Sequence, residues 1–304
     1  MIIKIFKKKI KILTHDGRFH ADEVFAIAAL QMFFRQTGEK IKVVRSRDME
    51  DINQFDIVLD IGHVYDHSQK KYDHHQRDGA GVRENGVPYA SFGLIWKHYG
   101  GEICRSLEVS KIVDESIVQP IDACDIGYDS FKAQNKNLNS YIMDTMIKSF
   151  NPIRGRKEDS LKMFLKAVSI AFNVLEREIY KAEVKVNDIE KVKEVYEKAE
   201  DKRILIFDEF RSLGNILDDI PEPIYSISPS EKLNDWRIYA IPVLSNNSYE
   251  QRKRFPEAWG GLVDSELETV TGVSGAKFCH SGGFLCVTNS KSSAIQLAKK
   301  ALKM

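Results

Sequence analysis

The chain has 304 residues, 43% hydrophobic and 29% charged, with a formal net charge of +1. This is the composition of a folded globular protein with room for two cores, not of a disordered one. A near-neutral chain has no overall pull toward nucleic acid or an anionic membrane, so a polyanionic partner has to be held by local patches. Four cysteines, Cys104, Cys124, Cys279 and Cys286, lie far apart and form no CxxC. That spacing argues against a zinc ribbon or a disulfide framework and fits a reducing compartment. The basic N-terminus MIIKIFKKKIKIL is interrupted by lysines too often for a signal-peptide core or a membrane span and is read as a strand. With no other stretch of spanning length, a cytoplasmic location is expected.

In chain order, KIKIL (9–13) predicts a strand and HADEVFAIAALQMFFR (20–35) a helix that is apolar on nearly all sides, as when packed between layers. IKVVR (41–45) and FDIVLDIG (55–62) are two further strands. Ser91 is placed to cap a helix through FGLIWKHYG, with Gly100 and Gly101 at its C-terminal end. One more helix is expected over 105–124, finishing in IDACDIGYD. Residues 157–200 contain no proline or glycine and repeat apolar side chains at helical spacing, which predicts a long connecting helix. From Arg203 the strands RILIF, PIYSIS and RIYAIPV follow, with a turn-rich stretch at 229–235. AKFCH and FLCVT form two more around SGG, and 289–303 closes the chain as an amphipathic helix. Strands alternating with helices in the first third predict an α/β fold with a mainly parallel sheet and flanking helices. The expected domains are 1–150, a helical connector over 151–200, and a smaller C-terminal α/β domain over 201–304.

Six of the eight histidines, His15, His20, His63, His67, His74 and His75, fall in one short span among aspartates. Imidazoles interleaved with carboxylates are the ligand set of a transition-metal site. His15 and Asp16 follow the first strand, at the carboxyl edge where open α/β sheets bind their ligands. His20 and Asp22 lie in the turn into the first helix, although Asp22 and Glu23 are also favoured there by the helix dipole alone. Asp60 ends an apolar strand at the same edge. In YDHHQ (72–76), adjacent side chains on an extended segment face opposite ways. One of His74 and His75 can therefore ligate a metal while the other faces substrate, and Asp73 can orient an imidazole through a hydrogen bond. His63 and His67, in a polar stretch, are expected to be exposed. Asp122 or Asp125 in IDACD supplies a last carboxylate. In the C-terminal part, His280, Ser281, Gly282 and Gly283 form HSGG, either a phosphate-holding loop or a plain hairpin turn. Arg252 and Arg254, beside Phe255 and Trp259, suit phosphate contact and base stacking, or else form a solvated charge run.

The order THDGRFHADE (14–23), Asp60, YDHHQ (72–76) and IDACD resembles the DHH phosphoesterase superfamily, and YDHHQR (72–77), GVPYASFGLIW (86–96), FPEAWGGL (255–262) and HSGGFL (280–285) carry a narrower match. More narrowly, it resembles the exonuclease family named after the melanocyte proliferating gene, over nearly the full length. The resemblance implies a DHH-type N-terminal domain with a dinuclear site, two Mn2+ ions being expected and Zn, Fe or Mg possible. The ligands it implies are His15, His20, Asp22, Asp60, His74 and Asp122, with His75 toward the substrate and HSGG on phosphate. His20 stands where the wider superfamily has an aspartate, which removes a charge and shifts preference from magnesium toward manganese, zinc or iron. The implied activity is two-metal hydrolysis of phosphodiesters, as a 3′-to-5′ exonuclease on single-stranded RNA or short oligonucleotides releasing nucleoside monophosphates. The alternatives are a small-molecule phosphoesterase or pyrophosphatase, and a metal-dependent nucleic-acid-binding module without turnover.

Overall fold

The computed structural model describes residues 9–48, 52–128, 140–211, 213, 216–230, 234–244 and 247–304; the expected strand before Lys9 and part of the expected turn at 229–235 lie outside them. Two compact units make up the chain, Met1–Glu183 and Val184–Met304. The first contains β1 (Lys9–Thr14), α1 (Ala21–Thr37), β2 (Lys40–Arg45), β3 (Ile57–Leu59), β4 (Tyr65–Asp66), β5 (Lys71–Tyr72), α2 (Ser91–Cys104), α3 (Leu107–Val113), α4 (Gln119–Ile126) and α5 (Met143–Lys148). A long helix, α6 (Ser160–Lys198), belongs to both units.

The first sheet has the strand order β2-β1-β3-β5-β4 and is parallel except at its β4–β5 edge. Its register positions the site. Thr14 pairs with Leu59, and Leu59 with Tyr72, so the next residues, His15, Asp60 and Asp73, leave the sheet side by side at its carboxyl edge. Helix α1 is buried from Ala21 through Leu30, packs on α2, and stops where Gly38 takes a left-handed φ of 74°.

Two expected helix boundaries are corrected. Ala90, not Ser91, is the N-cap of α2, and the helix runs through Gly100 and Gly101 to Cys104. A Cβ at Gly100 would lie 2.6 Å from Ser110 Oγ, so this glycine permits close packing rather than termination. The single helix expected over 105–124 is instead α3, capped by Ser106, a wide π-type turn at Asp114–Val118, and α4. Pro120 has no N–H to offer the carbonyl four residues back, which accounts for the wider turn just before it.

The second unit continues with β6 (Ile204–Ile206), β7 (Tyr225–Pro229), β8 (Trp236–Ala240), β9 (Pro242–Leu244), β10 (Asn247–Gln251), α7 (Asp264–Thr271), β11 (Ala276–Cys279), β12 (Leu285–Thr288) and α8 (Lys291–Lys303). Its sheet has the order β11-β12-β8-β7-β6, antiparallel except for β6–β7, while β9 and β10 form a separate ribbon. Ile227, Ile238 and Cys286 face a core completed by Leu267 of α7 and Ala294 and Leu297 of α8. All four cysteines are free. The α/β class, the mainly parallel first sheet with flanking helices, the long helix and the smaller C-terminal α/β unit are as the sequence predicts.

Candidate metal centre

Side chains from three strand ends, the start of α1 and the last turn of α4 meet at the carboxyl edge of the first sheet. His15 follows β1 and sets Nε2 3.0 Å from Glu23 Oε1 and 3.3 Å from Asp60 Oδ2. Its Nδ1 lies 2.7 Å from the Asp16 carbonyl oxygen, so Nδ1–H donates there and Nε2 faces the Glu23 and Asp60 carboxylates. His74 places Nδ1 3.5 Å from Asp60 Oδ1 and 3.8 Å from Asp22 Oδ2, and Nε2 3.2 Å from Asp125 Oδ2. His75 Nδ1 sits 2.7 Å from Asp73 Oδ1. Donor atoms converge to within 4.8 Å of one another in three groups, two of which share His74: His15, His20 and Glu23; Asp60, Asp73, His74 and His75; and Asp22, His74 and Asp125.

The frame around these groups is built from backbone amides. Helix α2 has no side-chain cap of its own, and its first amides are satisfied by distant carboxylates. Ser91 N donates to Asp22 Oδ2 at 3.0 Å, Phe92 N to Asp22 Oδ1 at 2.6 Å, and Gly93 N to Asp122 Oδ1 at 2.9 Å. Glu23 accepts from His20 N through both oxygens. Asn151 clamps the loop between β1 and α1 by accepting from Phe19 N and donating to Phe19 O. Asp60 carries a positive φ of 57°, a conformation an L-residue adopts at some cost and one that recurs where a side chain must be aimed at a site.

The electrostatics favour cations. Burial, followed by the charges of Asp125, Asp60 and Asp122, pushes the Asp22 carboxyl well above the usual range, and burial also raises Glu23. Burial alone would lower His15, but Asp60 and Glu23 hold it up to about 10. Burial would raise Asp73, yet the His75 ring and the His63 and His75 amides hold it down to about 2. Crowded carboxylates that raise one another are compensated by a divalent ion, and neutral imidazole with carboxylate is a suitable donor set. The donor set gathered at this edge suits a divalent ion.

Position by position, the structure brings His15, His20, Asp22, Asp60 and His74 together and leaves Asp122 apart. Asp122 Oδ2 is 2.8 Å from the Arg83 guanidinium, which also holds Asp114, and Asp125 takes the position beside His74. Glu23, explained at the sequence level by the helix dipole, is buried among the donors. The only signal for it was its place three residues after His20. The opposite facing expected of His74 and His75 is corrected, because β5 ends at Tyr72 and the two rings stack 4.2 Å apart. Burial distinguishes them instead: the His74 side chain is 8% exposed and that of His75 52%. His63 and His67 are exposed, and so is Asp16, paired with Arg47.

In the second unit, HSGG forms the hairpin turn between β11 and β12. Gly282 N donates to His280 Nδ1 at 2.9 Å and Gly283 N to His280 O at 2.8 Å; Ser281 is exposed at the tip. Gly283, at a φ of 66°, is the glycine this turn requires. The Arg254 Nη1 donates to Gly282 O at 2.7 Å, which joins the arginine to the turn. Arg252 departs from its expected role on phosphate. Its guanidinium donates to the carbonyls of Pro242, Ile220, Pro223 and Leu217 at 2.5–3.1 Å and straps the chain's own loops together.

Residues 11–302 match the MYG1 exonuclease family model, described as "Uncharacterised protein family (UPF0160)". The chain belongs to this family. Among its relatives, a MYG1 protein of Chlamydia muridarum is 32% identical over 95% of this chain and 96% of its own length. One of Caenorhabditis elegans is 30% identical over 96% of this chain and 94% of its own. The MYG1 exonuclease of Mus musculus is 26% identical over 96% and 84%. Among solved structures, RecJ of Thermus thermophilus in complex with Mn2+ aligns at 11% identity and a TM-score of 0.28, covering 98% of this chain and 52% of that one. Among the described residues, no helix is long and apolar enough to cross a membrane.

Proposed function

We propose that this family member is a metal-dependent phosphodiesterase that acts as a 3′-to-5′ exonuclease on single-stranded RNA or short oligonucleotides. The observation that carries the reading is the buried convergence of imidazoles and mutually repelling carboxylates at one sheet edge, with a half-exposed histidine beside it. The exonuclease name of the mouse relative supports the reaction class. Of the candidate donors, His15, His20, Glu23, Asp22, Asp60, His74 and Asp125 would hold two divalent ions, manganese being the first choice for a nitrogen-rich set. Such ions supply Lewis acidity toward water and toward the phosphoryl oxygens.

The chain's own residues set the rest. Ser91 and Phe92 amides fix Asp22, and the Asp16 carbonyl orients the His15 ring. Asp73 accepts from His75 Nδ1 and raises the imidazole pKa, which favours the protonated ring that would protonate the leaving oxygen or polarise the phosphate. In the second unit, His280, Ser281 and Arg254 are the proposed phosphate grip.

The test is hydrolysis of a 3′-labelled and a 5′-labelled single-stranded RNA after manganese loading, beside His74→Ala and His75→Ala. The reading expects stepwise loss from the 3′ end. It also expects metal loss in His74→Ala, and in His75→Ala retained metal with a rate lower by about 100-fold, the usual contribution of one acid–base group. Cleavage of small diesters with intact RNA would replace it by the small-molecule phosphoesterase alternative.

A further inference from the structure

In the second unit's sheet, side chains alternate between the main core face and a second face that is covered around Leu205 and Ser226 and more open toward Phe284. Ile227, Ile238 and Cys286 point into the core, and their neighbours on the other face pair in register as Ser226, Tyr239 and Leu285. Phe284, next to that row, comes off the HSGG turn with its ring 4.2 Å from His280, and its carbonyl accepts from Ala240 N at 2.8 Å. Phe210 closes the far side. The result is a pocket of about 320 Å³ lined by Phe210, Arg211, Ser226, Tyr239 and Phe284. Phe210 and Phe284 remain 43% and 37% exposed, a cost in apolar surface that the fold itself does not require.

The polar lining narrows the occupant. The Arg211 side chain is only 9% exposed, with Nη1 2.7 Å from Asp188 Oδ1 and Nη2 on Glu209. Among the described residues its buried Nε has no acceptor. Two carboxylates on one guanidinium make that wall unsuited to a phosphate and suited to a neutral ring bearing acceptors. At the other wall, the Arg254 guanidinium on the HSGG turn offers the positive side. A volume near the lower bound of ligand pockets, roughly 300 Å³, holds one nucleoside and not two. Tyr239 also takes a hydrogen bond from Arg237 at 3.3 Å on the same face, which places a cation beside the aromatic surface, as on sheets that stack bases.

We infer that this pocket is a nucleobase subsite: one base of a single strand stacks on Phe284 and Tyr239 while its phosphate lies at the HSGG turn. The inference rests on the nuclease reading and adds to it a site for the base. Stacking accepts any base, so the subsite gives affinity without strong sequence preference.

The test uses the full chain, stripped of metal and held in chelator so that no strand is cut. Binding is measured for a single-stranded oligonucleotide and for an abasic strand with the same number of phosphates. The parent should prefer the base-bearing strand by about 10-fold or more, the scale of one or two stacked bases. Phe284→Ala and Tyr239→Ala should each remove about 5-fold or more of that preference and leave abasic binding unchanged. Phe284→Tyr and Tyr239→Phe, which keep a ring and spare the fold, should retain it. Equal affinity for both strands in the parent, or equal weakening of both in Phe284→Ala, would overturn the subsite. So would a dimer of the parent that Phe284→Ala dissolves, because the patch would then be covered by a second copy. Hydrolysis of bis(p-nitrophenyl) phosphate by the manganese-loaded protein separates the two readings. Hydrolysis by a protein blind to bases overturns the subsite alone, and no hydrolysis of this diester or of RNA overturns the nuclease reading.

Discussion

The edge of the first sheet and the turn region of the second unit carry the chain's two charged motifs, and they resolve their charges in opposite ways. At the sheet edge, Asp22, Glu23, Asp60 and Asp125 are crowded together with imidazoles as their near neighbours. In the second unit, Arg252 is paired off against four backbone carbonyls, and Gly282 and Gly283 amides close their own turn on His280. Buried like charges that remain mutually repelling call for a ligand from outside, whereas a cation saturated by its own backbone does not. A motif's composition is the same in either case. Its hydrogen-bond partners tell the two apart.

The largest effect should come from separating the two aspartates of IDACD. Asp125→Asn should lose at least one bound divalent ion and lower phosphodiesterase activity by more than about 100-fold, beyond what loss of a mere supporting partner costs. Asp122→Asn should keep the metal stoichiometry and instead destabilise the fold by roughly 1–2 kcal/mol, because it removes one of the two carboxylates on the Arg83 guanidinium and leaves Asp114. Elemental analysis and thermal melting of both variants check this. The reverse pattern would return Asp122 to the ligand set.

A second experiment sharpens the contrast between arginines. Arg252→Ala abandons four carbonyls and should cost roughly 2–4 kcal/mol of stability, with unchanged salt dependence of RNA binding. Arg254→Ala should melt within about 0.5 kcal/mol of the parent and flatten the salt dependence by about one phosphate contact. Denaturant titration beside a salt series of RNA binding reads both.

The smallest effect is a proton count. Burial lowers the His15 pKa, but Asp60 and Glu23 hold it up to about 10 in the metal-free chain, so a metal has to displace that proton. Metal affinity should rise as pH increases from 6 toward 10, by up to tenfold per unit for one proton. Calorimetry of manganese binding in buffers of different ionisation enthalpy should detect net proton release. Uptake, or no exchange, would show that His15 is neutral before metal arrives.

Much of the fold was legible because its signals are local. Alternating strands and helices, the apolar run of α1, the proline-free α6 and the closing helix follow from periodicity and composition alone. The misread boundaries involve contacts remote in sequence: Gly100 is small because Ser110 approaches it, and α2 is capped by Asp22 from another helix. The same division runs through the site. His15, Asp60 and His74 could be read from the sequence because each follows or adjoins a strand end, and parallel strands bring their ends to one edge. The choice of Asp125 over Asp122 could not, since it depends on Arg83 folding back onto one of two equivalent carboxylates. Nor could the exposed His75 be told from the buried His74, two like neighbours on a segment that is no longer a strand. Chemistry was written in residue types, and assignment was decided by which partners the folded chain left over.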